Sequence, residues 1–339
     1  MAGGAHALKT PARIALSAAS ILAAGALLVA LPYVVGAAWS DVGAVLGELS
    51  GWRTAELVVL WLAGLGAYTW VLVASLPGLR HWQAFLLNTA GSSVSNVLPF
   101  GGAMGVALGY GMCRSWGFKT AAFAVSTLVT GVWNVLARLL LPAIGIAALL
   151  LAGEFPDRRL ATAAGVGSAL LIGIVTVFAL ALRSEQVAVR LQDVLVRLAA
   201  RLPSRFEKHG RRIAESVLRL RHQTIGVLCT GWAGLTFGMI AYLALQGVLL
   251  AACLGATGAA VGPAQTIAVF ALNRLLSTAV VTPGGTGISE TGTTALLIQF
   301  GAPAAPAAAA ALLYMVFVHT LEIPLGGVSV AGWALTRPR

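Results

Sequence analysis

Charge is what this sequence has least of. Only 10% of its 339 residues are charged, against about 25% in a typical soluble domain. The shortage is sharpest on the acidic side, with 11 Asp and Glu against 22 Lys and Arg. Cysteine is scarce too. Cys113, Cys229 and Cys253 show neither metal-ligand spacing nor a disulfide framework, so they are read as small apolar packing residues. There is no His-rich metal pattern, no Gly-x-Ser-x-Gly elbow, no phosphate loop ending in lysine and serine, and no paired carboxylates on a polar domain. Those absences speak against an enzyme and leave no cofactor and no metal site expected.

What fills the chain is apolar. Mean hydropathy is +0.89 and 58% of residues are hydrophobic. Roughly 20 apolar residues cross a bilayer, and Ile14–Val35, Glu56–Leu76, Leu160–Leu182, Thr224–Leu254 and Ala304–Leu335 are each long enough. A sixth run, Thr120–Ala152, carries Asn134 and Arg138. The first run follows Lys9 and Arg13 but has no clear small-residue cleavage site, so it is expected to be retained as an anchor.

The net charge of +11 does not point to nucleic acid. Ten Lys and Arg fall between Arg183 and Arg221 against four acidic residues. With a cytoplasmic N-terminus and one crossing per run, these ten join Lys9, Arg13, Arg80, Arg114, Lys119, Arg337 and Arg339 on the cytoplasmic side. Arg53, Arg158 and Arg159 face outward. That is the positive-inside bias. It predicts an inner-membrane protein with both termini in the cytoplasm and a basic surface suited to anionic lipid.

The sequence also repeats itself. Asn88, the serines Ser92, Ser93 and Ser95, Asn96, Pro99 and Gly101-Gly102 are answered by Asn273, Ser277, Thr278, Pro283 and Gly284-Gly285. Pro142 and Pro324 follow at matching distances. Each copy reads as two crossings, a broken hairpin and a third crossing. The predicted fold is an all-α polytopic membrane protein with about six crossings, two re-entrant hairpins and an inverted repeat. Residues 1–152 form the first repeat, with its hairpin near 79–118, and 153–182 the fourth crossing. Residues 183–222 form a basic amphipathic cytoplasmic loop, and 223–339 complete the second repeat, with a hairpin near 263–301. Two full spans joined by an ordinary turn remain the alternative for each hairpin. The polar arms favour re-entry, because irregular backbone survives at membrane depth only beside protein or water.

The stretch "TPGGTGISETG" from Thr282 to Gly292 carries the candidate chemistry. Pro283 ends one arm, Gly284, Gly285 and Gly287 permit reversal, and Thr286 or Ser289 can cap the next helix. Its free N–H groups and positive dipole end would suit a phosphate or carboxylate. Gly101 and Gly102 offer the same in the first copy. Arg274 and Glu290 lie on facing arms and can pair, either structurally or with Arg274, beside Asn273, holding a phosphate. Arg138 can serve the same phosphate. His319 and Glu322, three apart on one helix face, can relay protons or simply bond to each other. Charge at membrane depth costs about 2.5–3.5 kcal/mol per residue and calls for a reason.

The segments "NRLLSTAVVTPGGTGISETGTTALLIQFGAPAAPAAAAALLY", "PLGG" and "NVLPFGGAMGVALGYGMCRSWGFKTAAFAVSTLV" resemble the lysylphosphatidylglycerol synthase transmembrane-region family. Pro283, Gly284, Gly285, Gly287 and Glu290 match its signature. Gly102-Ala103-Met104 lacks the glutamate and arginine usual after the first glycine, and Thr130-Gly131 replaces a charged pair. The glycine-tyrosine run is similar, over a shorter stretch, to DedA-type membrane proteins. The resemblance implies a multi-pass bundle that binds or flips a lipid. The expected cargo is an anionic or phosphate-bearing lipid: aminoacyl-phosphatidylglycerol, a glycolipid or a polyprenyl-phosphate-linked sugar. Lysyl-lipid synthesis is not expected, since no soluble aminoacyl-transfer domain follows. Two other readings stand beside this one. One is a scaffold docking a lipid-synthesis enzyme through the basic loop; the other is an intramembrane lipid hydrolase or transferase.

Overall fold

The computed structural model describes residues 36–97, 101–154, 204–277 and 285–336 continuously, with scattered positions between 25 and 34 and between 162 and 190; from 204 to 230 it describes the backbone alone. Every regular element among the described residues is helical. The helices are α1 Trp39–Gly47, α2 Gly51–Ser75, α3 His81–Val97, α4 Gly101–Ser115, α5 Thr120–Leu151, α6 Ser204–Thr257, α7 Pro263–Leu276, α8 Ile288–Gln299, α9 Ala304–Met315 and α10 Glu322–Thr336. A π turn, Val316–Thr320, joins the last two.

Among the described residues four stretches are long and apolar enough to cross a membrane: Gly51–Ser75, Thr120–Leu151, Gly231–Thr257 and Ala304–Thr336. The chain is an all-α integral membrane protein. The predicted crossings at 14–35 and 160–182 lie largely outside the described residues, as do Pro99, Pro283 and Gly284.

The arms of the two hairpins are short. They have 17 and 15 residues in α3 and α4, and 14 and 12 in α7 and α8. At 1.5 Å per residue these reach about 25, 22, 21 and 18 Å, below the roughly 30 Å of a hydrocarbon core. In each hairpin the two arms pack on each other. Each tip is closed by a glycine two residues after a proline. A Cβ on Gly101 would lie 2.7 Å from the Ser95 Cα, and one on Gly285 would lie 2.6 Å from the Ser277 Cα. Gly285 also has φ +72, where a side chain is strained.

The packing exchanges hairpins between halves. Incoming arm α3 packs on α10 and incoming arm α7 on α5, while α2 lies along α6. Glycines set each approach. A Cβ on Gly145 of α5 would stand 3.1 Å from the Ala268 Cα of α7. One on Gly326 of α10 would run into the Thr89 carbonyl of α3. On α6, Gly231, Gly234 and Gly238 share a face that meets Ala74, Trp70 and Val71 of α2. Small residues serve membrane helices in this way because lipid supplies no hydrophobic drive between them. Leu57, Trp61, Leu250, Phe270, Leu297 and Phe317 fill the common core. Cys113 and Cys253 are buried and free, in keeping with packing roles.

Three local expectations change. The predicted boundary at 222 falls inside α6, which runs unbroken for 54 residues from just after Pro203. The crossing predicted from Glu56 begins earlier, at Gly51, and so takes in Trp52; the short helix before it is α1, held by Trp39 Nε1 donating to the Val29 carbonyl at 3.0 Å. Between His319 and Glu322 the regular helix gives way to the π turn, in which Leu321 N–H donates to Val316 O. Pro324 has no N–H to give the Thr320 carbonyl, and widening the preceding turn accommodates that loss.

Candidate functional site

Ser126, Thr130, Asn134 and Arg138 recur every fourth residue on α5, which places them along one side of the helix. Thr130 returns its hydroxyl to the Ser126 carbonyl. Asn134 Nδ2 donates to the Tyr68 hydroxyl of α2 at 2.9 Å. The Tyr68 ring meets Tyr242 of α6 edge-on, centroids 5.0 Å apart. Tyr242 in turn accepts from Arg274 Nη2 at 3.0 Å, while the guanidinium stands 5.6 Å from its ring centroid. Four elements thus meet around two arginines, Arg138 near the middle of α5 and Arg274 in the last turn of α7.

Arg274 lies in the electrostatic neighbourhood of Tyr314 and Glu322, and Arg138 in that of Arg274, Tyr68 and Tyr242. Among the described residues the ion pair within 4 Å is Arg53–Glu56, at an exposed helix start. Neither Arg138 nor Arg274 has a carboxylate at that distance.

The expected Arg274–Glu290 pair does not form. Glu290 is third in α8 and turns back on its own helix. Its carboxylate accepts from the Gly287 N–H and from Ser289 Oγ. This is the reciprocal arm of a capping box, and it fills the amide position that the sequence reading left open for a ligand. Neither Thr286 nor Ser289 caps the helix; Gly287 is its N-cap, and Ser289 donates to the Gly285 carbonyl at 3.2 Å. Asn273 is buried and donates to Thr293 Oγ1 at 3.0 Å, tying the two arms of the second hairpin together.

Glu322 is buried and bonded from the other hairpin. Asn96 Nδ2 of α3 reaches Glu322 Oε2 at 3.4 Å and the His319 carbonyl at 3.2 Å. His319 and Glu322 are therefore linked through Asn96 rather than side by side. Tyr314 closes the cluster by donating to Gln246 Oε1 at 3.2 Å.

Two spaces adjoin the cluster. One, about 290 Å³, is bounded by the first hairpin and mixes the polar groups of Tyr68, Asn88, Ser92, Asn96 and Thr130 with apolar lining such as Leu72 and Phe123. Gly102 faces this space, while Gly101 is buried in the hairpin contact. The other, about 880 Å³, is an apolar groove between α5, α6 and α7, bordered by Trp133, Ala137, Leu141, Leu243 and Phe270. Ala137 precedes Arg138 and Leu141 lies about one turn after it, and Phe270 lies about one turn before Arg274. The arrangement offers a charged, polar centre to one end of an amphipathic molecule and a hydrocarbon-lined slot to the other.

Tyr68, Tyr242, Gln246 and Tyr314 were not marked by any sequence motif. The four-residue recurrence on α5 was the available signal, and it leads to Tyr68 only through Asn134. The family model described as Lysylphosphatidylglycerol synthase TM region matches residues 14–323. Among curated proteins none matches the chain.

Proposed function

The chain belongs to the lysylphosphatidylglycerol synthase transmembrane-region family, and from that premise we propose that it carries a lipid with an anionic or phosphate-bearing head group between leaflets. One observation carries this reading. Arg138 and Arg274 have no carboxylate in ion-pair range among the described residues, and residues beside them on the same helices, Thr130 on one side and Ala137 and Phe270 on the other, line the two spaces. An uncompensated guanidinium inside a bilayer is costly, and a phosphate arriving from the lipid phase supplies what is missing. Arg forks suit phosphate oxygens bidentately. The groove beside them gives the acyl or polyprenyl chain a continuous apolar path.

In this reading the exchanged hairpins are the halves of an inverted repeat, and each presents polar groups to the shared centre. Glu322, held by Asn96 on the opposite hairpin, is the counter-charge that resets Arg274 once the head group leaves. Glu290 holds the hairpin tip. The basic cytoplasmic side and both termini face the cytoplasm of the inner membrane, and the protein acts as a transporter rather than an enzyme.

Reconstitution into liposomes with a fluorescent short-chain phosphatidylglycerol tests it. Wild-type protein should expose the inner-leaflet label to an external quencher. Arg138→Ala and Arg274→Ala should each slow this at least about tenfold, the loss of a charge-assisted contact of about 1.5–3 kcal/mol. Equal rates in wild type and both variants would remove the arginines from the mechanism. A scaffold for a lipid-synthesis enzyme would move no lipid on its own.

A further inference from the structure

Counting the charges around the two arginines narrows the cargo. Gly145 of α5 sits against Ala268 and Ala271 of α7. These helices pack along each other, so about one to two turns on from that contact the chain brings Arg138 and Arg274 to a similar level. Arg274 spends one N–H on Tyr242 Oη, and its Cζ stands over that ring, 5.6 Å from the centroid. A guanidinium has five donors, and Arg138 makes no hydrogen bond within the chain among the described residues.

The carboxylates nearby are otherwise engaged. Glu290 closes onto the Gly287 N–H and Ser289. Glu322 is buried and receives Asn96. With Glu322 ionised, two guanidiniums against one carboxylate leave a surplus of one positive charge; with Glu322 neutral the surplus is two. The face of Tyr242, which could hold an ammonium, is already occupied by Arg274.

Resting on the transport reading above, we propose that the site takes phosphate-bearing lipids of net negative charge whose head groups lack an amine, and rejects aminoacylated ones. A lysyl ester would bring a second cation into a centre that already has too many, and like charges in a low dielectric repel strongly. The shared recognition element is an unmasked phosphate. A phosphodiester such as phosphatidylglycerol and a phosphomonoester such as a polyprenyl phosphate both supply it.

Proteoliposomes of the full chain moving labelled phosphatidylglycerol separate the cases by competition. Unlabelled phosphatidylglycerol and polyprenyl phosphate should both compete, and the more potent identifies the phosphate source. Lysyl-phosphatidylglycerol should compete at least tenfold more weakly than phosphatidylglycerol, and Arg138→Gln should narrow that gap by lowering the surplus. Lysyl-phosphatidylglycerol competing as well as phosphatidylglycerol overturns the charge assignment while transport stands. A gap unchanged in Arg138→Gln overturns the arginine basis of selection. If no lipid is moved at all, the transport reading falls and this inference with it.

Discussion

At Gly326 an added methyl group would run into the Thr89 carbonyl and the Ser93 side chain, whereas at Gly327, one residue on, nothing lies within 4 Å. Two neighbouring glycines in one helix should therefore behave oppositely. Gly326→Ala should destabilise the folded protein by about 1–3 kcal/mol, the range for overpacking a tight contact. Gly327→Ala should be neutral within about 0.5 kcal/mol, as read by thermal unfolding in detergent. Asn273 and Thr293 give a second residue-level test. Asn273→Ala and Thr293→Val should each cost about 1–3 kcal/mol for a broken buried bond, and the double variant should cost less than their sum. Glu290 shows why single residues were only partly legible. Its position three after Gly287 is the spacing of a cap, yet facing arms also put it opposite Arg274, and spacing alone does not choose. Arg274 takes its partner from Tyr242, 32 residues away on another helix, where no local pattern reaches.

At the scale of elements, the proline and glycine punctuation was readable because it acts locally. Pro99 and Pro283 with Gly101 and Gly285 mark where paired short helices meet, and the shortness of those arms follows from the short distance between breakers. The π turn was harder to see. A proline inside a helix announces a disturbance, but whether the helix kinks or widens depends on what the freed carbonyl meets. Pro324→Ala should permit a regular helix and turn Glu322 by about 100°, the rotation of one helical residue. The expected result is unchanged or higher thermal stability with slower lipid movement in liposomes; unchanged transport would show that the register of Glu322 does not matter. The long helix α6 was masked in the sequence by its own composition. A run holding Arg205, Lys208, Arg211 and Arg212 looks like a solvated loop, yet those residues are good helix formers and continue into the apolar crossing without a breaker.

Taken whole, the molecule is two halves that hold each other's hairpins. The Thr89 hydroxyl meets the Ser329 hydroxyl at 2.8 Å across one such contact, so a disulfide can form there with little movement. In a variant lacking the native cysteines, Thr89→Cys with Ser329→Cys should lock α3 to α10 on oxidation. Lipid movement should stop in the oxidised protein and return on reduction if the hairpins must shift between halves. Continued movement in the locked form would place the motion elsewhere. The repeated order of residues was visible in the sequence, whereas the exchange of partners was not, because contacts between α3 and α10 join positions 240 residues apart. One consequence of the fold concerns α6. From Ser204 to Thr230 it continues for about 40 Å at 1.5 Å per residue, and where it joins the crossing its glycines lie tight on Ala74 and Val71. That contact is a fulcrum. A tilt of about 5° there swings the outer tip of such a rod by about 3.5 Å, and on the other side of the pivot the same rod carries Tyr242. A force on the basic end thus has a mechanical route to the arginine in the middle of the protein.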